Sequence, residues 1–187
     1  MAARFDVLVA GYADDRVGSS VALVRDGDAV VVVDPGMVSS RSAILDPLAS
    51  YGVAVEDVTD VVLSHHHPDH TLNAALFPNA RFHDHWAIYR DDVWDDRPAE
   101  GFHLGESTWL LETPGHTPQD ISTVVQTDDG LVVCTHLWWT AAGPAEDPFA
   151  PDLSVLRTSR SRVLGLAPSL VVPGHGPAFA PDASTPV

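Results

Sequence analysis

The residue types that could do chemistry crowd into one stretch, Ser64-His65-His66-His67-Pro68-Asp69-His70. Within it His65, His67, Asp69 and His70 form a His-x-His-x-Asp-His pattern. Imidazole and carboxylate donors at that density suit zinc, iron or manganese. The run before it, Val61-Val62-Leu63, is β-branched and apolar and predicts a buried strand. In an extended chain residues two apart point the same way, so His65 and His67 can aim at one point while His66 points away. Pro68 stops the ladder and turns the chain into Asp69 and His70. Two later histidines share a device: Thr113-Pro114-Gly115-His116-Thr117-Pro118 and Val172-Pro173-Gly174-His175-Gly176-Pro177. Each places an imidazole at a strand's end on a stiff loop.

The elements that must position these residues can be read in order. Phe5 to Ala10, Ser20 to Arg25 and Ala29 to Val33 read as strands, with a polar turn over Gly11 to Gly18 and a hairpin signal at Asp26-Gly27. Asp34-Pro35-Gly36 is a turn that leaves Asp34 at a strand's C-terminal end. Ser39 or Ser40 can cap a helix that carries Pro47 and stops at Gly52. Asp60 to Ser64 is the strand feeding the histidine loop, and Thr71 to Leu76 starts a short helix after it. Arg81 to Asp84 reads as a strand, Trp86 to Asp91 as a helical turn, and Asp91 to Gly101 as an acidic loop. Ser107 to Glu112, Ile121 to Thr127, Leu131 to Cys134 and Ser169 to Val172 complete the strands. Trp138 to Asp152 is a long loop, and Leu153 to Ala167 has a helical period with Arg157, Arg160 and Arg162 on its other faces. Strand-rich halves, each with helices, predict two sheets packed face to face with helices outside.

Bulk properties narrow the function. At 187 residues the chain predicts one domain, 1–187, with a loose tail over about 180–187. It has 26 acidic residues against 10 basic ones, all arginine, for a net charge of −16. That charge repels polyanions and argues against nucleic acid as a partner. No apolar run reaches the ~20 residues that span a bilayer, and the N-terminal stretch has no signal-peptide pattern. The single Cys134 allows no internal disulfide and fits a reducing, cytoplasmic setting. No Ser-His-Asp signature or Gly-rich phosphate loop competes with the metal reading.

Together these motifs resemble those of the metallo-β-lactamase-fold hydrolases. Asp34-Pro35-Gly36 looks like that family's first motif, the His65–His70 run its second, His116 in its Pro-Gly-His setting the third, and His175 the last. Gly11-Tyr12-Ala13, Leu76-Phe77-Pro78-Asn79-Ala80 and Val171-Val172-Pro173-Gly174-His175-Gly176-Pro177 extend the likeness to a branch associated with phosphodiester cleavage of RNA. The resemblance implies a four-layer αββα sandwich of two mixed sheets. It implies two neighbouring divalent metals, zinc first, with manganese or iron as alternatives. His65, His67 and His116 would hold one metal, and Asp69, His70 and His175 the other. Asp34 would accept the free N–H of a ligand histidine, fixing its tautomer.

One position departs from the pattern. After the strand Leu131-Val132-Val133-Cys134 the family places an aspartate that bridges both metals; here His136 stands in its place. A neutral imidazole offers one lone pair and ligates one metal, not two. Three arrangements follow: His136 ligates one ion, or swings aside for water, or the site works with one metal. His136 is therefore counted with the metal ligands, and Trp138 and Trp139 behind it as candidate walls of a substrate pocket. Cys134 is expected to be a small buried apolar residue. The implied activity is hydrolysis of a small ester, lactone, thioester or phosphoester, with Asp69 binding metal and steering the nucleophile's proton. The alternatives are a phosphodiesterase or ribonuclease, an iron-dependent sulfur dioxygenase, and a non-catalytic metal-binding protein. A homodimer is compatible with the two tryptophans.

Overall fold

The computed structural model describes residues 2–187. Its strands are β1 (Arg4–Val9), β2 (Tyr12–Ala13), β3 (Val17–Gly18), β4 (Val21–Asp26), β5 (Ala29–Val33), β6 (Asp60–Val62), β7 (Arg81–His83), β8 (Ala87–Arg90), β9 (Val93–Asp96), β10 (Thr108–Glu112), β11 (Ile121–Thr127), β12 (Gly130–Thr135) and β13 (Leu170–Pro173). Its α-helices are α1 (Ser42–Ser50), α2 (Pro68–Thr71) and α3 (Leu153–Gly165). A seven-stranded sheet runs β1-β4-β5-β6-β7-β8-β9, and a four-stranded sheet runs β10-β11-β12-β13. Both are mixed: β5-β6, β6-β7 and β12-β13 pair in parallel and the other neighbours antiparallel.

Side-chain alternation explains the layering. Ala22, Val24, Val31, Val33 and Val62 face Leu110, Ile121, Val125, Val132, Cys134 and Val172, so the two sheets bury one shared core. The residues between them point the other way. Leu23, Val32 and Val61 pack with Ile44 and Leu48 of α1. Val124, Val133 and Val171 pack with Leu156 and Val163 of α3. Strands apolar on both faces, such as Val30-Val31-Val32-Val33, are those covered twice. The result is the four-layer αββα sandwich.

This arrangement puts the chemistry at one end. Asp34 follows β5, His65 follows β6, His116 follows β10, His136 follows β12 and His175 follows β13. The loops there meet closely. A Cβ on Gly36 would lie 1.7 Å from the Asp69 carbonyl oxygen, so only glycine lets the turn after β5 pass the backbone of the histidine loop. The Met37 amide donates to that same carbonyl at 2.8 Å.

Several local expectations are corrected. The helix after the histidine loop begins at Pro68, a favoured first helical position, and so carries Asp69 and His70 itself. The stretch expected as a helical turn, Trp86 to Asp91, contains strand β8, and the acidic loop after it contains β9. The two form a hairpin around Asp91-Asp92, with Asp91 at φ 53°, the conformation a two-residue turn demands. Aspartates hid the strand because β9 has no core face to mark. Gly11 to Gly18 holds the small hairpin β2-β3. Neither Ser39 nor Ser40 caps α1: Arg41 is at the N-cap, and Ser40 and Ser42 bond each other at 2.6 Å. Arg160 of α3, expected on one of its outer faces, is fully buried.

Candidate metal centre

The strand ends deliver six histidines to one cluster. His65 ring centroids lie 4.4 Å from His70, 4.6 Å from His67, 4.7 Å from His136 and 5.0 Å from His116. His175 joins through His70 at 5.1 Å and His136 at 4.9 Å. Two buried triads have donor atoms within 4.8 Å of one another: His65, His116, His136, and His70, His136, His175. His136 belongs to both. Its ring lies directly over Gly174, where a Cβ would come within 2.3 Å of Cδ2, so the Pro-Gly-His turn is shaped around it.

Four imidazoles have their Nδ1 side tied to a fixed acceptor. Asp34 Oδ2 accepts from His70 Nδ1 at 2.8 Å and from Ser64 Oγ at 2.7 Å. The spent Ser64 hydroxyl then accepts from His65 Nδ1 at 3.0 Å. Asp147 Oδ2 accepts from His116 Nδ1 at 2.8 Å, and the Gly18 carbonyl from His175 Nδ1 at 3.1 Å. With Nδ1 carrying the proton, each Nε2 presents a bare lone pair. His116 Nε2 faces His67 Nδ1 at 3.1 Å, and His175 Nε2 faces His136 Nε2 at 3.0 Å. Asp69 Oδ2 lies 3.5 Å from His70 Nε2 and 3.4 Å from His175 Nε2.

The donor set fits a cation. Nε2 of His65, Nε2 of His70 and Nδ1 of His136 are buried without a hydrogen-bond partner. Each such atom costs about 1–3 kcal/mol, a cost that a metal ion at the cluster would remove. Burial, then the neighbouring imidazoles, hold His65 and His136 well below the usual histidine range. Burial also lowers His67 and His175, against the opposing pull of Asp69. Neutral imidazole is the form that binds metal.

The other sequence candidates, and the histidines outside the cluster, separate clearly. Asp34 is buried and holds both Ser64 and His70. Trp139 stands at the site: its Nε1 donates to Asp147 at 2.8 Å and its ring stacks on Phe149 at 5.8 Å. Trp138 is corrected: it is fully buried among Leu137, Leu156 and Val163, with the Arg160 guanidinium 5.6 Å from its ring. It is a core residue because the chain crosses under α3 there. Cys134 sits in the core between the sheets, where burial pushes its thiol up. His66 turns away to Asp84 Oδ2 at 2.9 Å. His83 is bonded to Asp60 at 2.7 Å, beyond the site, and His103 is exposed.

Three site residues carry no signal in the spacing. Asp147 lies in the long loop before α3; its contact with His116 depends on how that loop folds back. Burial raises its carboxyl, but the bonds from His116, the Phe149 amide and Trp139 outweigh this and keep it ionised. Arg160 fixes the loop, donating to the carbonyls of Leu137, Pro144 and Ala145 at 2.9, 2.7 and 2.8 Å. Asp120 braces the His116 loop through the Thr117 amide at 2.9 Å; burial raises its carboxyl to about 6.

A cleft of about 440 Å³ opens onto the cluster, lined by His67, Asp69, His116 and His175 on one side. Ala13, Val17, Met37, Pro68, Trp139 and Phe149 make the rest of its wall. No arginine lines it.

Comparison with known proteins agrees with this geometry. Residues 14–102 match the family model described as Metallo-beta-lactamase superfamily. The chain is 34% identical over 187 residues to Metallo-beta-lactamase domain-containing protein 1 of Xenopus laevis, covering 92% of this chain and 79% of that protein. Among solved structures it is similar to a candidate metallo-beta-lactamase from Thermotoga maritima, with a TM-score of 0.74, 21% identity, and 97% and 100% of the two chains covered. It is also similar to an N-acyl homoserine lactone hydrolase with N-hexanoyl-L-homoserine bound at its catalytic metal center. There the TM-score is 0.67 at 18% identity, over 93% of this chain and 92% of that one.

Proposed function

This chain belongs to the metallo-beta-lactamase superfamily and is a metallo-hydrolase, and from that premise we propose that it cleaves small uncharged esters, lactones or thioesters. The observation that carries the reading is the set of imidazoles whose Nδ1 atoms are committed to Asp34, Ser64, Asp147 and the Gly18 carbonyl. Such pinning serves ligands that must present Nε2 in fixed directions. His65, His67 and His116 would hold one ion, Asp69, His70 and His175 a second. His136, common to both triads, would ligate where a bridging carboxylate is expected. A divalent metal there supplies Lewis acidity, bringing the pKa of water toward neutrality and polarising a carbonyl.

The remaining work belongs to the chain. Asp69, on the cleft wall, takes the proton released on attack and returns it to the leaving group. Trp139 and Phe149 stack as one slab, and with Met37 and Val17 they exclude water and receive an apolar substituent. The lactone hydrolase named above is a fold neighbour whose product carries an acyl chain, which is consistent with such a wall. An RNA backbone would call for arginine or lysine; the lining has neither and the net charge is −16.

Hydrolysis of acyl lactones, aryl esters and acyl thioesters is the test, alongside bis(p-nitrophenyl) phosphate. The expected outcome is acyl cleavage that disappears on chelation, returns with zinc or manganese, and improves with acyl length. Full activity in the chelated protein, or faster cleavage of the phosphodiester, would overturn the reading.

A further inference from the structure

The seven-stranded sheet ends on β9, and no described strand lies beyond it. An open edge presents a row of backbone N–H and C=O groups that another chain can pair with. Proteins blunt such edges with charge, and β9 carries Asp95 and Asp96, with Asp91 and Asp92 at the hairpin tip. Blunting alone does not explain the apolar residues. Val93 is 52% exposed and Trp94 61%. The Trp94 ring is held ready: it meets Tyr89 edge-on at 4.7 Å, and its Nε1 donates to Asp96 at 2.7 Å. Tyr89 is fixed in turn by its hydroxyl, which donates to Asp84 at 2.7 Å.

Register decides which backbone groups are free. Arg90 pairs with Val93 across the two-residue turn and forms the closing hydrogen-bonded pair. Trp94 and Asp96 therefore direct their N–H and C=O groups outward. The segment reads Asp91-Asp92-Val93-Trp94-Asp95-Asp96, acid pair, apolar pair, acid pair, the same pattern in either direction. A second copy is excluded by charge, since antiparallel β9-β9 pairing would bring both sets of aspartates along one ladder, and like charges directly opposed are destabilising.

We propose that β9 is a docking edge for an extended basic segment of a partner protein, added to the sheet as a further strand. The complement of the edge is basic pair, apolar pair, basic pair. Apolar side chains would lie against Val93 and Trp94, and lysines or arginines against the aspartates and the exposed tryptophan faces. The site is separate from the histidine cluster and makes no demand on the hydrolytic reaction.

The probe is the capped peptide Lys-Lys-Val-Val-Lys-Lys, with Lys-Val-Lys-Lys-Val-Lys as the scrambled control, followed by amide chemical shifts of the full chain and by Trp fluorescence. Binding is expected to shift amides of residues 92–97 and to be at least tenfold weaker for the scrambled peptide. The paired substitution Asp95→Lys and Asp96→Lys should weaken it at least tenfold and create binding of Glu-Glu-Val-Val-Lys-Lys or of its reverse, Lys-Lys-Val-Val-Glu-Glu, a rescue that an unfolded variant could not give. Equal binding of both lysine peptides, shifts scattered over the acidic surface, no binding, or self-association through β9 would each overturn the proposal.

Discussion

At the scale of the residue, the site depends on which nitrogen of each histidine carries the proton. Asp147 illustrates this. It accepts from His116 Nδ1 and Trp139 Nε1 together, so it sets both a ligand's tautomer and the cleft wall. Asp147→Ala should weaken metal binding about 10- to 100-fold, measured by competition with a chromophoric chelator; unchanged affinity would remove Asp147 from the account. His136 is common to both triads whereas His65 belongs to one. His136→Ala should lower metal occupancy, as His65→Ala should, read by metal analysis after identical dialysis. An undiminished metal content in His136→Ala would place His136 outside the centre. The clustered histidines and Asp34 were legible in sequence because their spacing follows strand ends and tight turns. Asp147 was not, because it approaches His116 only through the fold of a long loop.

At the scale of the element, each strand of the core announced itself by its apolar faces, and the elements without such a face did not. β8 and β9 lie at an edge, and their acidic residues resemble a loop until the Asp91-Asp92 turn pairs them. Trp138 and Trp139, adjacent in sequence, diverge because one faces α3 and the other the cleft. The loop that separates them from α3 is held by Arg160, whose guanidinium donates to three carbonyls, that of the buried Leu137 among them. An arginine at a helix position reads as solvent-facing in sequence, which is why its burial was invisible there. Arg160→Met should cost about 1–3 kcal/mol, chiefly through the buried Leu137 carbonyl left unpaired, seen as a lower urea midpoint. It should weaken metal binding as well, since the loop carries Asp147. Destabilisation with wild-type metal affinity would separate the loop from the site.

At the scale of the whole molecule, a cluster of neutral histidines at the end of an acidic sandwich links folding to pH. Burial holds His65, His83, His136 and His175 below their ordinary value of 6.5. As pH falls through 6.5 the unfolded chain takes up protons that the folded chain refuses. Stability is thus present above that pH and lost below it, at up to about 1.4 kcal/mol per pH unit for each group. Asp120, raised to about 6, acts in the opposite sense, gaining stability as pH falls from 6 toward 3.8, but it is one group against four. Denaturant titrations of the metal-free protein should show it markedly less stable at pH 5.5 than at pH 7.5, and a flat profile would mean the imidazoles are not held neutral. The central claim, that these histidines form a metal centre, is tested most directly by metal content per chain in protein purified without added metal. About two divalent ions per chain, falling in His136→Ala, is the predicted result. A wild-type chain that binds no metal even when zinc, manganese or iron is supplied would contradict it.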